Sequence, residues 1–379
     1  MRVLQITIYG ELKFGGPPQK IFALSDGLTE RGYDVDIATF HSDTPRGQKT
    51  HNRGKARIHF LSWAGRSLWQ LPTDWRRLRR AVRSADIVHV YGLYNLLCPL
   101  AAWMAVWSGK PFLLEPLGMF VPRTRNMRSK AIYNRWITSP MAKRAVRVVA
   151  TSPREREELT TLTDPDKLVL RRNGLDLSVF DNLPSGTNFR NRFDIASEEK
   201  IILYIGRISP IKNLEELIRA FAHADFKQTR LALVGPELEP DYARRLHALA
   251  HQLHLGERLL FTGELYGEDK LSALCAADIF VLPSTYESYG NAAAEAVAAG
   301  IPVLLTHNCG IAPLIHEKAG LAVEPDKESL MRGLQTLMDS AQCRSLIARR
   351  VEALLKLSWS EPLDQTEAIY NDIVTNYQP

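Results

Sequence analysis

Two cations and two carboxylates stand out in the second half of this 379-residue chain. Arg207 and Lys212 lie in "YIGRISPIKN", and Glu287 and Glu295 flank the alanine-rich run of "YESYGNAAAEAVAAG". Arg binds an oxyanion pair with a bidentate fork and Lys acts as a point charge, so the first pair suits a diphosphate. Carboxylates repel phosphate but accept hydrogen bonds from sugar hydroxyls, so the second pair suits hydroxyl-rich groups on either side of that diphosphate. Gly206 stands outside any G-x-G-x-x-G spacing, which argues against a dinucleotide fingerprint. No Asp-x-Asp-like ligand pair accompanies these residues, so no metal and no cofactor is expected.

The elements that must hold such groups can be read from short apolar runs. Six occur in the first half (2–8, 34–39, 56–62, 86–92, 111–116, 147–152) and five in the second (200–206, 230–235, 258–263, 278–284, 302–307). Each ends near Gly, Pro, Ser or Thr, and helical patterns fill the gaps, the signature of β–α units in parallel sheets. Asn-Gly, Leu-Pro and Ser-Gly signals across 173–200 mark an interdomain linker, hinged at 174–198. The expected architecture is α/β, with two doubly wound Rossmann-like domains, 1–175 and 176–361, facing a central cleft. Ligands of such sheets bind outside the carboxyl ends of the strands. Arg207 follows one strand and Glu287 another. A helix starting at Asn291 would add its amide end as an anion site and place Glu295 about 6 Å further along.

The formal net charge of +6 conceals a split: residues 1–190 carry +14 and residues 191–379 carry −8. "WRRLRRAVR" (75–83) reads as a helix with Trp75, Leu78 and Val82 inward and arginines outward, and "RTRNMRSK" adds a second basic cluster. Such faces fit an anionic membrane surface or a lipid diphosphate; no nucleic-acid recognition module accompanies them. The uncharged stretch 90–109 is broken by Gly92, Asn95 and Pro99 and reads as a loop and a buried helix rather than a membrane span. Four scattered cysteines and an N-terminus patterned like a strand, not a signal peptide, make a reducing cytoplasm the expected compartment, and the basic faces add an expectation of peripheral association with the inner face of the cell membrane.

"ESYGNAAAE" closely resembles the E-x7-E signature of retaining GT-B glycosyltransferases, family 4. "FGGPPQ", "DIVHVYG", "PLGMF", "VVATSPREREEL", "RRNGLDLSVF", "YIGRISPIKN" and "FTGEL" follow in the family's order, so the resemblance spans nearly the whole chain. It implies that Arg207 and Lys212 neutralise a donor diphosphate, that Glu295 holds ribose hydroxyls and that Glu287 contacts the transferred sugar. Backbone amides at Ser288, Tyr289, Gly290 and Asn291 would meet the phosphate or sugar, and Leu265 would lie near the base. Gly15 and Gly16 look like the family's glycine loop, and a last helix, about 362–379, would return to the first domain.

One position departs from the pattern. Many family members carry His-Gly where this chain has Leu117–Gly118, and leucine cannot make the histidine's hydrogen bond to the transferred sugar. Tyr91, Asn95 or Glu115 would have to supply it, with Arg123 further along the acceptor side. The implied function is metal-independent transfer of a hexose from a nucleotide-diphosphate sugar, a UDP-sugar being favoured, to a glycan or polyprenyl-diphosphate-linked acceptor, with retention, in cell-surface or exopolysaccharide synthesis. A nucleotide-sugar epimerase and a non-catalytic nucleotide-sugar binder remain open alternatives on the same scaffold.

Overall fold

The computed structural model describes residues 1–8, 10, 16–40, 50–65, 70–123, 126–224 and 226–378. Gly15 lies outside them. The chain forms two compact units, Met1–Gly174 with Trp359–Pro379, and Leu175–Ser358.

The first unit is built on an eight-stranded sheet. Its strands are β1 (Arg2–Ile6), β2 (Asp34–Phe40), β3 (Thr50–Arg53), β4 (Ala56–Leu61), β7 (Ile87–Tyr91), β8 (Phe112–Glu115), β9 (Arg147–Ala150) and β10 (Leu168–Leu170), while β5 (Trp63–Ala64) and β6 (Leu71–Pro72) form a separate small hairpin. The order is β10-β9-β8-β7-β1-β2-β4-β3, and every pairing is parallel except β3 with β4. The central strands are apolar on both faces because helices cover both. On one face lie α2 (Trp75–Ser84), α3 (Leu97–Trp107) and α5 (Ser139–Arg144), packed through Leu78, Val82, Ala101 and Met141. α4 (Met127–Tyr133) leads into α5 through a π-helical turn, Asn134–Thr138. On the other face α1 (Gly16–Glu30) packs with the last helix of the chain, Ser360–Asn376. A further helix, α6 (Pro153–Leu159), follows β9 and is capped by the Ser152 hydroxyl, which accepts from the Glu155 amide.

Two sequence expectations are settled here. The uncharged stretch becomes a loop followed by α3, whose Leu97, Cys98, Ala101 and Ala105 are buried, and no described helix is long and apolar enough to cross a membrane. Trp75, expected inward, is exposed. As the first residue of α2 it lies a turn short of the Leu78–Val82 stripe, which alone meets the sheet.

The second unit has six parallel strands: β11 (Lys200–Ile205), β12 (Thr229–Val234), β13 (Leu259–Gly263), β14 (Ile279–Leu282), β15 (Val303–Thr306) and β16 (Gly320–Val323). Their order, β13-β12-β11-β14-β15-β16, is the doubly wound arrangement that reverses direction between its first and fourth strands. The helices that matter below are α7 (Leu214–His223), α8 (Gly267–Ala276) and α9 (Asn291–Ala298). The later part of the segment expected to be an interdomain linker packs on this unit. Phe189 is buried, its amide donates to the Ser272 hydroxyl, and that hydroxyl donates to the Ser185 carbonyl. The chain leaves the first unit at Gly174 and returns at Trp359, and these two residues touch: a Cβ on Gly174 would meet the Trp359 Cα at 2.6 Å. The return ends in α10, the helix Ser360–Asn376 described above.

Candidate active site

The reversal between β11 and β14 opens a crevice at their carboxyl ends, and the loops leaving these two strands carry Arg207, Lys212 and Glu287. After β11, the Gly206 amide donates to Val234 and the Ile208 amide to Pro236, which fixes the turn through Arg207. The Arg207 side chain is exposed and makes no ion pair among the described residues. A single 3-10 turn, Pro210–Lys212, delivers Lys212, and Asn213 then turns in the left-handed region (φ 57°) to start α7. After β14, the Thr285 amide and hydroxyl both donate to the Ile211 carbonyl, at 2.9 and 3.1 Å, tying the two loops together next to the charged groups. The Lys212 ammonium donates to the Glu287 carboxylate, and both side chains are mostly buried. A desolvated ion pair of this kind is held for position more than for stability.

A neighbouring loop braces the Glu287 side. The Glu287 amide donates to Asn308, the Gly310 amide to Glu287 and the Ile311 amide to Tyr289, so residues 287–289 are bound to 308–311 along their length. Gly290 then adopts φ 115°, a conformation that suits glycine, with Ile311 against its missing side chain. This turn aims the amide end of α9 back at the crevice, and the Ala293 and Ala294 amides both donate to Gly290. The small residues Ala293, Ala294 and Ala296 are buried and bring α9 close to β14 and β15. Glu295, nearly buried on α9, pairs with Lys270 of α8 at 2.5 Å. Leu265, buried, lies just before α8, so this ion pair links the helix behind Leu265 to the one bearing Glu295. The second unit therefore gathers Arg207, Lys212, Glu287, Ser288, Tyr289, Gly290 and Asn291 at one switch point, with Glu295 one turn behind. Sequence reasoning missed Lys270, and also Ser209 and Ser284, whose buried hydroxyls have no hydrogen-bond partner among the described residues. Lys270 lies 25 positions from the Glu295 it meets, and no local pattern marks it.

In the first unit the equivalent reversal falls between β1 and β7. Gly16 opens α1 after β1, Tyr91 ends β7 and Asn95 follows it. The side chains of Tyr91, Asn95 and Glu115, expected on the sugar side, are fully buried and engaged with protein groups. Asn95 accepts from the Cys98 amide at the start of α3. Glu115 meets Lys20 of α1 and, at 2.5 Å, Arg171, while His89 Nε2 stands 3.4 Å from it. His89 Nδ1 is 2.8 Å from the Tyr370 hydroxyl of α10 and 3.0 Å from that of Tyr91. Burial alone would raise the Glu115 carboxyl pKa, but Arg171 and Lys20 hold it well below the carboxylate range. Burial brings Lys20 down to about 8 and His89 to about 4, so the imidazole is neutral near pH 7.

Leu117 has φ 58° and Gly118 φ 72°, a paired left-handed turn after β8. The Gly118 amide donates to buried Glu155 at 2.5 Å, which fixes this turn to the start of α6. Arg123 binds Glu158 at 2.5 Å.

Both units match known protein families. Residues 15–174 match a "Glycosyl transferase 4-like domain" and residues 186–352 match "Glycosyl transferases group 1". An uncharacterized glycosyltransferase of Methanocaldococcus jannaschii is 27% identical over 98% of both chains. A D-inositol 3-phosphate glycosyltransferase of Mycobacteroides abscessus is 26% identical over 93% of this chain and 83% of that one. A GDP-mannose:cellobiosyl-diphosphopolyprenol alpha-mannosyltransferase of Xanthomonas campestris is 27% identical over 71% and 67%. Among solved structures, Anabaena HepE in complex with UDP and glucose superposes with a TM-score of 0.81 at 19% identity, covering 98% of this chain and 99% of that one. The chain is thus built as a two-domain glycosyltransferase of the group 1 type with the GT-B fold.

Proposed function

We propose that the protein transfers a hexose from a nucleoside-diphosphate sugar, with UDP-sugars favoured, to a glycan or polyprenyl-diphosphate-linked acceptor, retaining the anomeric configuration and using no metal, in cell-surface or exopolysaccharide synthesis. The observation that carries this reading is the convergence of Arg207, the Lys212–Glu287 pair and the start of α9 at one strand reversal, with Glu295 one turn behind. In this reading Arg207 and Lys212 neutralise the diphosphate as it departs, where preorganised charge acts most strongly. The amide end of α9 adds a third positive group. Glu287 orients Lys212 and accepts from hydroxyls of the transferred sugar, while Glu295 accepts from the ribose.

The bond from the anomeric carbon to the phosphate oxygen breaks as the bond to the acceptor oxygen forms on the same face. The acceptor's proton passes to the departing phosphate. No carboxylate is assigned as a nucleophile. The first unit, basic in composition, is assigned the acceptor, and the named acceptors of two relatives, an inositol phosphate and a diphosphopolyprenol, are both anionic.

A panel of labelled UDP-, GDP- and ADP-sugars, with and without EDTA, tests the reading. The expected result is transfer or slow hydrolysis of one donor, unchanged by EDTA, giving a product whose proton NMR coupling matches the donor's anomer. An inverted product overturns retention, and an isomerised donor overturns transfer in favour of epimerisation.

A further inference from the structure

The helix behind Leu265 is entered on a tight turn. Gly263 (φ 73°) ends β13, Leu265 is buried, and Tyr266 is extended before Gly267 (φ 52°) opens α8. The first turn of α8 then carries Glu268, Asp269 and Lys270 in a row. Asp269 turns outward to Arg192 at 2.7 Å, and both of those side chains are more than half exposed. Lys270 takes the other direction. Its ammonium meets Glu295 Oε2 at 2.5 Å, with 20% of the lysine and 11% of the glutamate side chain exposed. The pair joins two elements that sit apart on the sheet: α8 follows the edge strand β13, whereas α9 packs on β14 and β15.

A mostly buried ion pair adds little net stability, because desolvation offsets most of its attraction, so its value lies in the geometry it fixes. The contact is a charge pair: Glu295 Oε2 makes no hydrogen bond among the described residues and is sealed from solvent. Only Oε1 can therefore present itself to a ligand. A glutamate left alone spreads its carboxylate over several rotamers and loses that freedom when it binds. Here one oxygen is pinned, out of water, by a cation on a neighbouring helix, where charge attraction is strong. The Asp269–Arg192 pair of the same turn lies in solvent, where such pairs fix little.

We propose that Lys270 is a positioning residue for recognition of the donor's sugar–base moiety: it holds the Glu295 carboxylate in place so that the site tells a ribonucleotide from its deoxy forms. The inference rests on the reading of Glu295 as the ribose acceptor. Lys270 touches no substrate in this role and acts through Glu295 alone. Because α8 begins two residues after Leu265, the pair also sets the spacing between the loop assigned to the base and the carboxylate assigned to the ribose.

Isothermal titration of the full chain with UDP and GDP, then with the 2′-deoxy and 3′-deoxy forms of whichever binds more tightly, tests it. The wild type should prefer the ribonucleotide over at least one deoxy form by about tenfold or more, as a hydrogen bond to a charged acceptor implies. Lys270→Met should lose most of that preference and Lys270→Arg should keep it. Asp269→Asn, which breaks the exposed pair of the same turn, should leave it unchanged. The ratio cancels changes in phosphate binding and in fold, since the ligands share one diphosphate, so a merely structural lysine would not move it. With Glu295→Ala already in place, Lys270→Met should change the ratio no further. A Lys270→Met that discriminates like the wild type, a Lys270→Arg no better than Lys270→Met, or an equal loss in Asp269→Asn would overturn the positioning role and leave the ribose reading standing. A wild type that binds neither diphosphate, or binds them without preferring ribose, removes the ribose reading and this inference with it.

Discussion

At the scale of single residues, the two glutamates of "YESYGNAAAEAVAAG" have different neighbours and so different expected roles. Glu287 pairs with Lys212 beside exposed Arg207, while Glu295 pairs with Lys270 one turn into α9. Glu295→Ala should raise the donor's Kd about 10- to 100-fold, from the loss of hydrogen bonds to a charged group worth about 1.5–3 kcal/mol, with little change in turnover of bound donor. Isothermal titration with the preferred donor measures the first quantity and saturating kinetics the second. A fall in kcat with unchanged Kd contradicts the ribose assignment. The sequence pointed to both glutamates because hydroxyl-binding carboxylates beside an anion site form a local pattern. It did not point to Lys270, which reaches Glu295 only because α8 crosses back over the sheet between β13 and β14.

At the scale of elements, the turn into α9 and the buried cluster of the first unit each make a prediction. Gly290 holds φ 115° with Ile311 close against it, so Gly290→Ala should cost about 1–3 kcal/mol and lower the melting temperature. It should also weaken donor binding, because the amide end of α9 shifts. His89 couples β7 to α10 through Tyr370, and its folded pKa, about 4, lies below the ordinary 6.5. The unfolded chain therefore takes up the proton first as pH falls, and stability is lost between pH 6.5 and 4. About 2 kcal/mol should go between pH 6.5 and 4.5. Denaturant melts of the wild type and of His89→Gln check this: the variant's decline over that range should be shallower by about that amount, and parallel curves contradict the account.

The regular elements were largely legible in the sequence, since buried parallel strands appear as short apolar runs ending in turn residues. The facing of Trp75 was not, because hydrophobicity alone turned it inward, whereas its place at the first position of α2 leaves it clear of the sheet. The Lys20–Glu115–Arg171–His89 cluster was equally hidden. Its members come from α1, β8, the end of β10 and β7, and only the sheet order brings them together.

At the scale of the whole molecule, two sheets of related winding put their loops to different uses. In the second unit the strand reversal gathers charges open to a ligand. In the first, Glu115 is consumed by the buried cations Lys20 and Arg171. The two crossings of the chain meet at Gly174 and Trp359, where a Cβ would strike backbone. Gly174→Val should therefore destabilise the first unit, seen as an earlier transition in a thermal melt, with the second unit's transition unmoved. The split of formal charge already separated the two halves in the sequence, but the strand order that sets Arg207 and Glu287 on neighbouring loops did not show there, since 80 positions separate them.

The central claim is that Arg207, Lys212 and the start of α9 stabilise a departing diphosphate. It is tested most directly by the kcat of Lys212→Ala with the preferred donor, beside a circular dichroism spectrum showing an unchanged fold. Turnover should fall about 100-fold or more, as for removal of one preorganised group at a developing charge. A folded Lys212→Ala that transfers sugar at close to the wild-type rate would contradict it.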